Sequence, residues 1–123
     1  MNIQRIETPT KEMVRLWEEN LGEPWHDYTN ATKFVQYDED GNIIAGFAVY
    51  YDNSDGVAGN YISGWSARKN LKSIESVINY LAGRLGEIYI KTDKRQMKII
   101  SGRLGELVKK SGSFCYYIIK GGK

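Results

Sequence analysis

The chain has 123 residues, 41% of them hydrophobic and 26% charged, enough for one domain over 1–123 that needs no disulfide or metal to hold its core. A net charge of +2, from 17 basic and 15 acidic side chains, gives bulk charge no argument for nucleic acid or for a membrane. The single cysteine, Cys115, excludes an internal disulfide, and the single histidine, His26, excludes Cys/His zinc patterns.

Residues 2 to 7 alternate apolar and polar, as a short strand does. Thr8-Pro9 reads as a helix cap and first helical position, and Met13, Leu16, Trp17 and Leu21 follow at helical spacing until Gly22. The stretch from Glu23 to Thr32 holds no sustained period and is expected to be irregular. Lys33 to Tyr51 reads as a hairpin about Asp38-Glu39-Asp40-Gly41-Asn42, and a loop from Asp52 to Gly56 leads into a third strand from Val57 to Trp65. The period then changes. Ile74, Val77, Ile78, Leu81 and Leu85 predict a helix ending at Gly86, and Glu87 to Thr92 a strand. Asp93, with Gln96, is the expected cap of a helix over 94–110, whose apolar face is Met97, Ile100, Leu104, Leu107 and Val108. Ser113 to Lys120 closes the chain as a strand.

The predicted fold is α/β (α+β): a mixed, mostly antiparallel sheet flanked by helices, in the order β-α-β-β-β-α-β-α-β. No run is long enough to span a bilayer, and the N-terminus does not resemble a signal peptide, so a cytoplasmic protein is expected.

That order, over nearly the whole chain, resembles the GNAT family of acetyl-CoA-dependent N-acetyltransferases. The strand at Gly59–Trp65 that feeds a loop and a helix, and the segment Leu107-Val108-Lys109-Lys110-Ser111-Gly112-Ser113-Phe114, are similar to the family's details. In the family that loop holds the CoA pyrophosphate: Gln or Arg, two variable residues, Gly, one variable residue, then Gly or Ala. Here it reads Arg68-Lys69-Asn70-Leu71-Lys72-Ser73, with Leu71 and Ser73 in the glycine slots. Glycines there let backbone N–H groups approach the phosphates, and a side chain at either slot crowds them. The basic loop and the Lys120-Gly121-Gly122 ending also resemble small degenerate GNAT-like proteins of tailed bacteriophages, such as podovirus internal virion proteins. That resemblance implies a phage particle or a bacterial host's cytoplasm as the location.

The candidate cofactor-binding residues implied are Trp65, Arg68, Lys69, Lys72 and Ser73. Arg68, Lys69 and Lys72 form either a residual anion site or a solvated basic loop that the helix dipole disfavours. Trp65 either fills the acyl cleft or stacks on a ligand, and filling is the better reading because large aromatics are more often core. An acetyltransferase needs a base, yet the middle strands carry only the phenols Tyr50, Tyr51 and Tyr61, and the last strand Tyr116 and Tyr117. No catalytic residue is assigned. His26 beside Asp27 reads as a loop histidine, and Cys115 as a small buried hydrophobe.

Lys91, Lys94, Arg95 and Lys98, with Arg103, Lys109 and Lys110, read as a solvated helix face, so nucleic acid is not an expected partner. Gly46, Gly59 and Gly64 mark bulges or close packing within strands. Exposed aromatics about Trp25 and Tyr28 are a candidate interface. Taken together the residues favour a non-catalytic protein that acts through an unidentified protein partner, as a virion component or an inhibitor of a host system, with no cofactor. An active N-acetyltransferase using acetyl-CoA and a small phosphate-ligand binder are the alternatives.

Overall fold

The computed structural model describes residues 2–25, 30–68 and 71–121. In chain order these form β1 (Asn2–Ile6), α1 (Lys11–Leu21), β2 (Thr32–Tyr37), β3 (Ile43–Ser54), β4 (Val57–Ser66), α2 (Leu71–Leu85), β5 (Glu87–Thr92), α3 (Arg95–Leu104), β6 (Glu106–Ser111) and β7 (Phe114–Lys120). Hydrogen bonding orders the strands β1-β2-β3-β4-β5-β7-β6. The pairs β1–β2, β2–β3, β5–β7 and β6–β7 are antiparallel, while β4 meets β5 in parallel at Tyr61 and Tyr89. The mixed, mostly antiparallel α/β fold is as predicted. Contacts group the chain into two compact units, Met1–Tyr50 with Ser63–Arg68, and Tyr51–Ile62 with Lys69–Lys123.

In the first unit Thr10, rather than Thr8, caps α1. Its Oγ1 accepts the Met13 N–H at 3.2 Å, and Gly22, at φ 72°, ends the helix in the left-handed conformation. Met13 and Trp17, four residues apart, are its buried residues. They lie in the same unit as Phe34, Val35, Ala45 and Ala48 of the strands, also buried. The hairpin turn expected here lies between β2 and β3 and is an Asx-type arrangement: Asp38 Oδ1 accepts N–H bonds from Asp40 (2.9 Å) and Asn42 (2.8 Å).

In the second unit α2 turns Val77, Ile78, Leu81 and Ala82 inward. Each large aliphatic among them contributes about 1.5–3 kcal/mol relative to exposure. Ile88 and Ile90 of β5 and Ile119 of β7 are buried in the same unit, as the alternating pattern predicted. Gly59 lies where any side chain would overlap the Tyr89 ring, so it marks close packing. Gly64 does the same against Phe47 in the first unit.

Three further predictions give way. The loop expected over 52–56 is two residues long: β3 runs on to Ser54, and Asp55 (φ 51°) and Gly56 (φ 80°) make the turn. Two successive positive φ values are those of a type I′ hairpin, which Asp-Gly favours. Asp93 does not cap α3. Lys94 occupies that place without a side-chain bond, and its N–H donates to Thr92 Oγ1 at 3.1 Å.

The third correction is the largest. The helix expected over 94–110 stops at Leu104, and 106–111 form a seventh strand, β6. A Cβ at Gly105 would run into the Ile118 carbonyl, so the chain presses against β7 at that point and only glycine fits. Gly112, at φ 60°, and Ser113 then return the chain into β7 as a two-residue hairpin.

Candidate functional site

The loop that joins β4 to α2 carries the sequence-predicted residues, and it is divided between the two units. On the first unit's side, the Trp65 indole lies against Gly46: a Cβ built there would sit 2.7 Å from Trp65 Nε1 and 3.3 Å from Trp17 Cε3. Gly46 is therefore a close-packing glycine that makes room for two tryptophans. Beyond Trp65, Ala67 N–H donates to Ile44 C=O at 2.8 Å, and Ser66 and Arg68 close a short turn on each other. Ser66 Oγ donates to the Arg68 carbonyl at 2.9 Å and accepts the Arg68 N–H at 3.1 Å.

Arg68 is exposed, and its charge reaches Asp38 of the β2–β3 turn. Asp38 is held below the usual carboxylate range chiefly by the N–H of Asn42, with Arg68 as a minor further cause.

On the second unit's side, Lys69 lies outside the described residues. Leu71, Lys72 and Ser73 are the first three residues of α2, with no acid in the first turn. Lys72 is exposed, and its carbonyl accepts the Ser76 hydroxyl at 2.9 Å. The two slots that need glycine are thus the first and third positions of a helix, each filled by a side chain, with Leu71 more than a third exposed. A pyrophosphate cradle uses backbone N–H groups that a bulky first residue screens. Leu71 and Ser73 thus put side chains where the resembling loop carries glycine.

The second unit also holds a polar cluster that sequence reasoning missed. The Tyr116 hydroxyl donates to Asp55 Oδ2 at 2.6 Å and lies 2.9 Å from Ser54 Oγ. Lys91 Nζ donates to Ser54 Oγ at 3.1 Å and stands 4.9 Å from the Phe114 ring centroid. Lys109 Nζ donates to the Asp55 carbonyl. Tyr116 is fully buried, whereas the charged members are exposed. A signal existed in the Asp-Gly turn, but the neighbours of Tyr116 required the β5–β7–β6 pairing.

This cluster is poorly suited to general-base chemistry. The Tyr116 hydrogen bond holds the Asp55 carboxyl below its usual range, so it is a weak base. Tyr116 and the nearby aspartates raise the Lys91 amine, so it stays protonated. Of the other phenols weighed above, two are engaged by hydrogen bonds and one is exposed. Tyr61 donates to the Val57 carbonyl at 2.5 Å, Tyr50 meets Ser63 Oγ at 3.2 Å, and Tyr51 is exposed. Burial pushes the Tyr117 phenol up, with Cys115 a further cause. Cys115 is buried, in keeping with a small core residue.

His26 and Tyr28 lie outside the described residues. Trp25 is half-buried, packed edge-on to Trp17 at 5.2 Å between centroids, with Lys33 Nζ 4.8 Å from its ring. Among the described residues no group of three His, Cys, Asp or Glu side chains could hold a metal, and no helix is long and apolar enough to cross a membrane.

No protein-family model and no curated protein matches the sequence. Solved structures do match its fold. A spermidine N-acetyltransferase SpeG chimera from Vibrio cholerae and hSSAT superposes with a TM-score of 0.64 at 13% identity, over 98% of this chain and 96% of that one. An aminoglycoside N(6')acetyltransferase from Legionella pneumophila superposes with a TM-score of 0.55 at 10% identity, over 96% of this chain and 90% of that one. At such identities the likeness establishes the fold alone. The chain has the GNAT fold.

Proposed function

We propose that this GNAT-fold chain is non-catalytic and works by contact with another protein. The observation that carries the reading is Leu71 and Ser73 as the first and third residues of α2, where the phosphates of a bound CoA require glycine. Between Gly64 and Gly83 the chain has no glycine at all, so no shifted alignment restores the cradle. The described residues support the same reading: β4 carries no carboxylate, Asp55 is weakened and Lys91 is protonated. The resemblance of the basic loop to small phage proteins supports a phage setting, as a virion component or an inhibitor of a host system.

A second reading, a binder of small phosphate ligands, draws on Lys72 in a helix first turn that lacks acids.

The test is calorimetric titration with acetyl-CoA of the native chain and of a Leu71→Gly, Ser73→Gly double variant. The reading predicts no heat of binding to the native chain. Submillimolar binding to the native chain would overturn it, and binding to the double variant alone would show which side chains close the site.

A further inference from the structure

The small net charge conceals a strong partition. By sequence, the second unit carries twelve basic against six acidic side chains, a net +6, and the first unit five against nine, a net −4. Exposed large hydrophobic residues divide the same way. Among the described residues all seven, Tyr51, Leu71, Leu85, Ile99, Leu107, Val108 and Phe114, belong to the second unit.

Apolar and basic side chains are exposed together on β6 and on the flank of α3. In the β6–β7 register Leu107 stands opposite Tyr117 and Lys110 opposite Cys115. Positions 115 and 117 are alternate residues of β7, so Leu107 and Lys110 share a face of the sheet. That is the face α3 covers, since a Cβ at Gly102 would lie 3.7 Å from the Tyr117 ring. The bulge between Leu107 and Lys109 accommodates the extra residue, Val108. On α3, Arg95 and Ile99 are exposed and one turn apart. Arg103 is already paired with Glu75, but among the described residues Arg95 and Lys110 have no carboxylate partner. The acids on the same elements are Asp93, beside α3, and Glu106, at the start of β6.

We propose that β6 and the exposed flank of α3 form a docking surface for a protein that presents carboxylates around an apolar centre. The proposal rests on the non-catalytic, protein-binding reading above and names the chemistry of the partner. Ile99, Leu107 and Val108, each about half exposed, supply an apolar centre, and Arg95 and Lys110 a basic rim. That is the composition of a protein interface. A nucleic-acid backbone would meet the cations but leave the three aliphatic side chains without a counterpart. A second copy of the chain could offer the acidic first unit, but among the described residues that unit exposes no large hydrophobic residue to match them. The edge position of β6 leaves its outer backbone groups open to the same partner.

The experiment titrates the full chain with a fluorescent synthetic peptide of alternating Glu and Leu. The same peptide with Gln for Glu and a labelled thymidine oligonucleotide are run beside it, and amide chemical shifts are followed. The proposal predicts salt-sensitive binding of the Glu peptide, with shifts confined to 94–99 and 106–111. Affinity should fall about tenfold or more in Lys110→Glu and in Val108→Asp, and not in Lys11→Glu on α1. The shift map needs no variant, so misfolding of an edge-strand mutant leaves the test intact. Equal binding of the Gln peptide, tighter binding of the oligonucleotide, shifts elsewhere, no binding at low salt, or self-association abolished by Val108→Asp would each overturn it. Binding of acetyl-CoA would instead overturn the non-catalytic reading without altering this titration.

Discussion

The Tyr116 hydroxyl donates to Asp55 Oδ2 at 2.6 Å, tying the buried start of β7 to the tip of the β3–β4 hairpin. Asp55 sits at φ 51°, a left-handed conformation that Asp adopts more readily than most residues, and its carbonyl accepts Lys109 of β6. One aspartate thus joins three strands of the second unit.

A pH dependence follows with a definite sign. The folded pKa of Asp55 lies below its ordinary 3.8, so the stability it contributes is complete above that value and is lost as pH falls through the folded pKa. Tyr116→Phe removes the first cause of the shift. The variant should be less stable than the native chain at pH 7, and the gap should narrow below about pH 4. Urea midpoints from pH 7 to 2 check this. Asp38 is depressed through other partners and gives both proteins the same residual acid sensitivity. A gap that stays constant with pH would show that the hydrogen bond does not favour the ionised form.

Gly46→Ala should destabilise by about 1–3 kcal/mol, because its Cβ must displace Trp65 or Trp17 in a packed region. Tryptophan emission should move with it. In Trp65→Ala the same change should cost much less, and a double-mutant cycle in denaturant reads that coupling directly.

Ser101→Ala should stabilise the chain by about 1 kcal/mol. Ser101 Oγ is fully buried on α3 and has no hydrogen-bond partner among the described residues, so its removal relieves a desolvated hydroxyl with little change of shape. Thermal unfolding at neutral pH measures the gain.

Gly105→Ala separates two accounts of the segment after α3. Were 94–110 a continuous helix, alanine would favour it by about 0.5–1 kcal/mol. Against β7, where the new Cβ meets the Ile118 carbonyl, it should cost about 1–3 kcal/mol. Equilibrium unfolding in urea decides the sign.

That residue also marks where the sequence misleads. Leu104, Leu107 and Val108 continue the spacing of Met97 and Ile100, so periodicity alone carries the helix onward. What ends it is a tertiary contact between Gly105 and β7, which local pattern does not contain. Asp52-Asn53-Ser54 hid the end of β3 in the same way: turn-forming residues are held in a strand by the Asp55-Gly56 hairpin just beyond. Where one face is buried, as in α2 and β5, the periods were plain. Of the candidate site, the filled glycine slots were legible because they are local. The Asp55–Tyr116 cluster was not, since its members lie 61 residues apart.

The most direct test of the central claim is thermal unfolding of the purified chain with and without excess acetyl-CoA, CoA and ATP, since a ligand of the native state raises the midpoint by mass action. A chain whose cofactor cradle is closed by Leu71 and Ser73 shows no shift with any of the three. A clear rise with acetyl-CoA that vanishes in an Arg68→Ala, Lys72→Ala double variant would contradict the account and make the chain a cofactor-binding acetyltransferase.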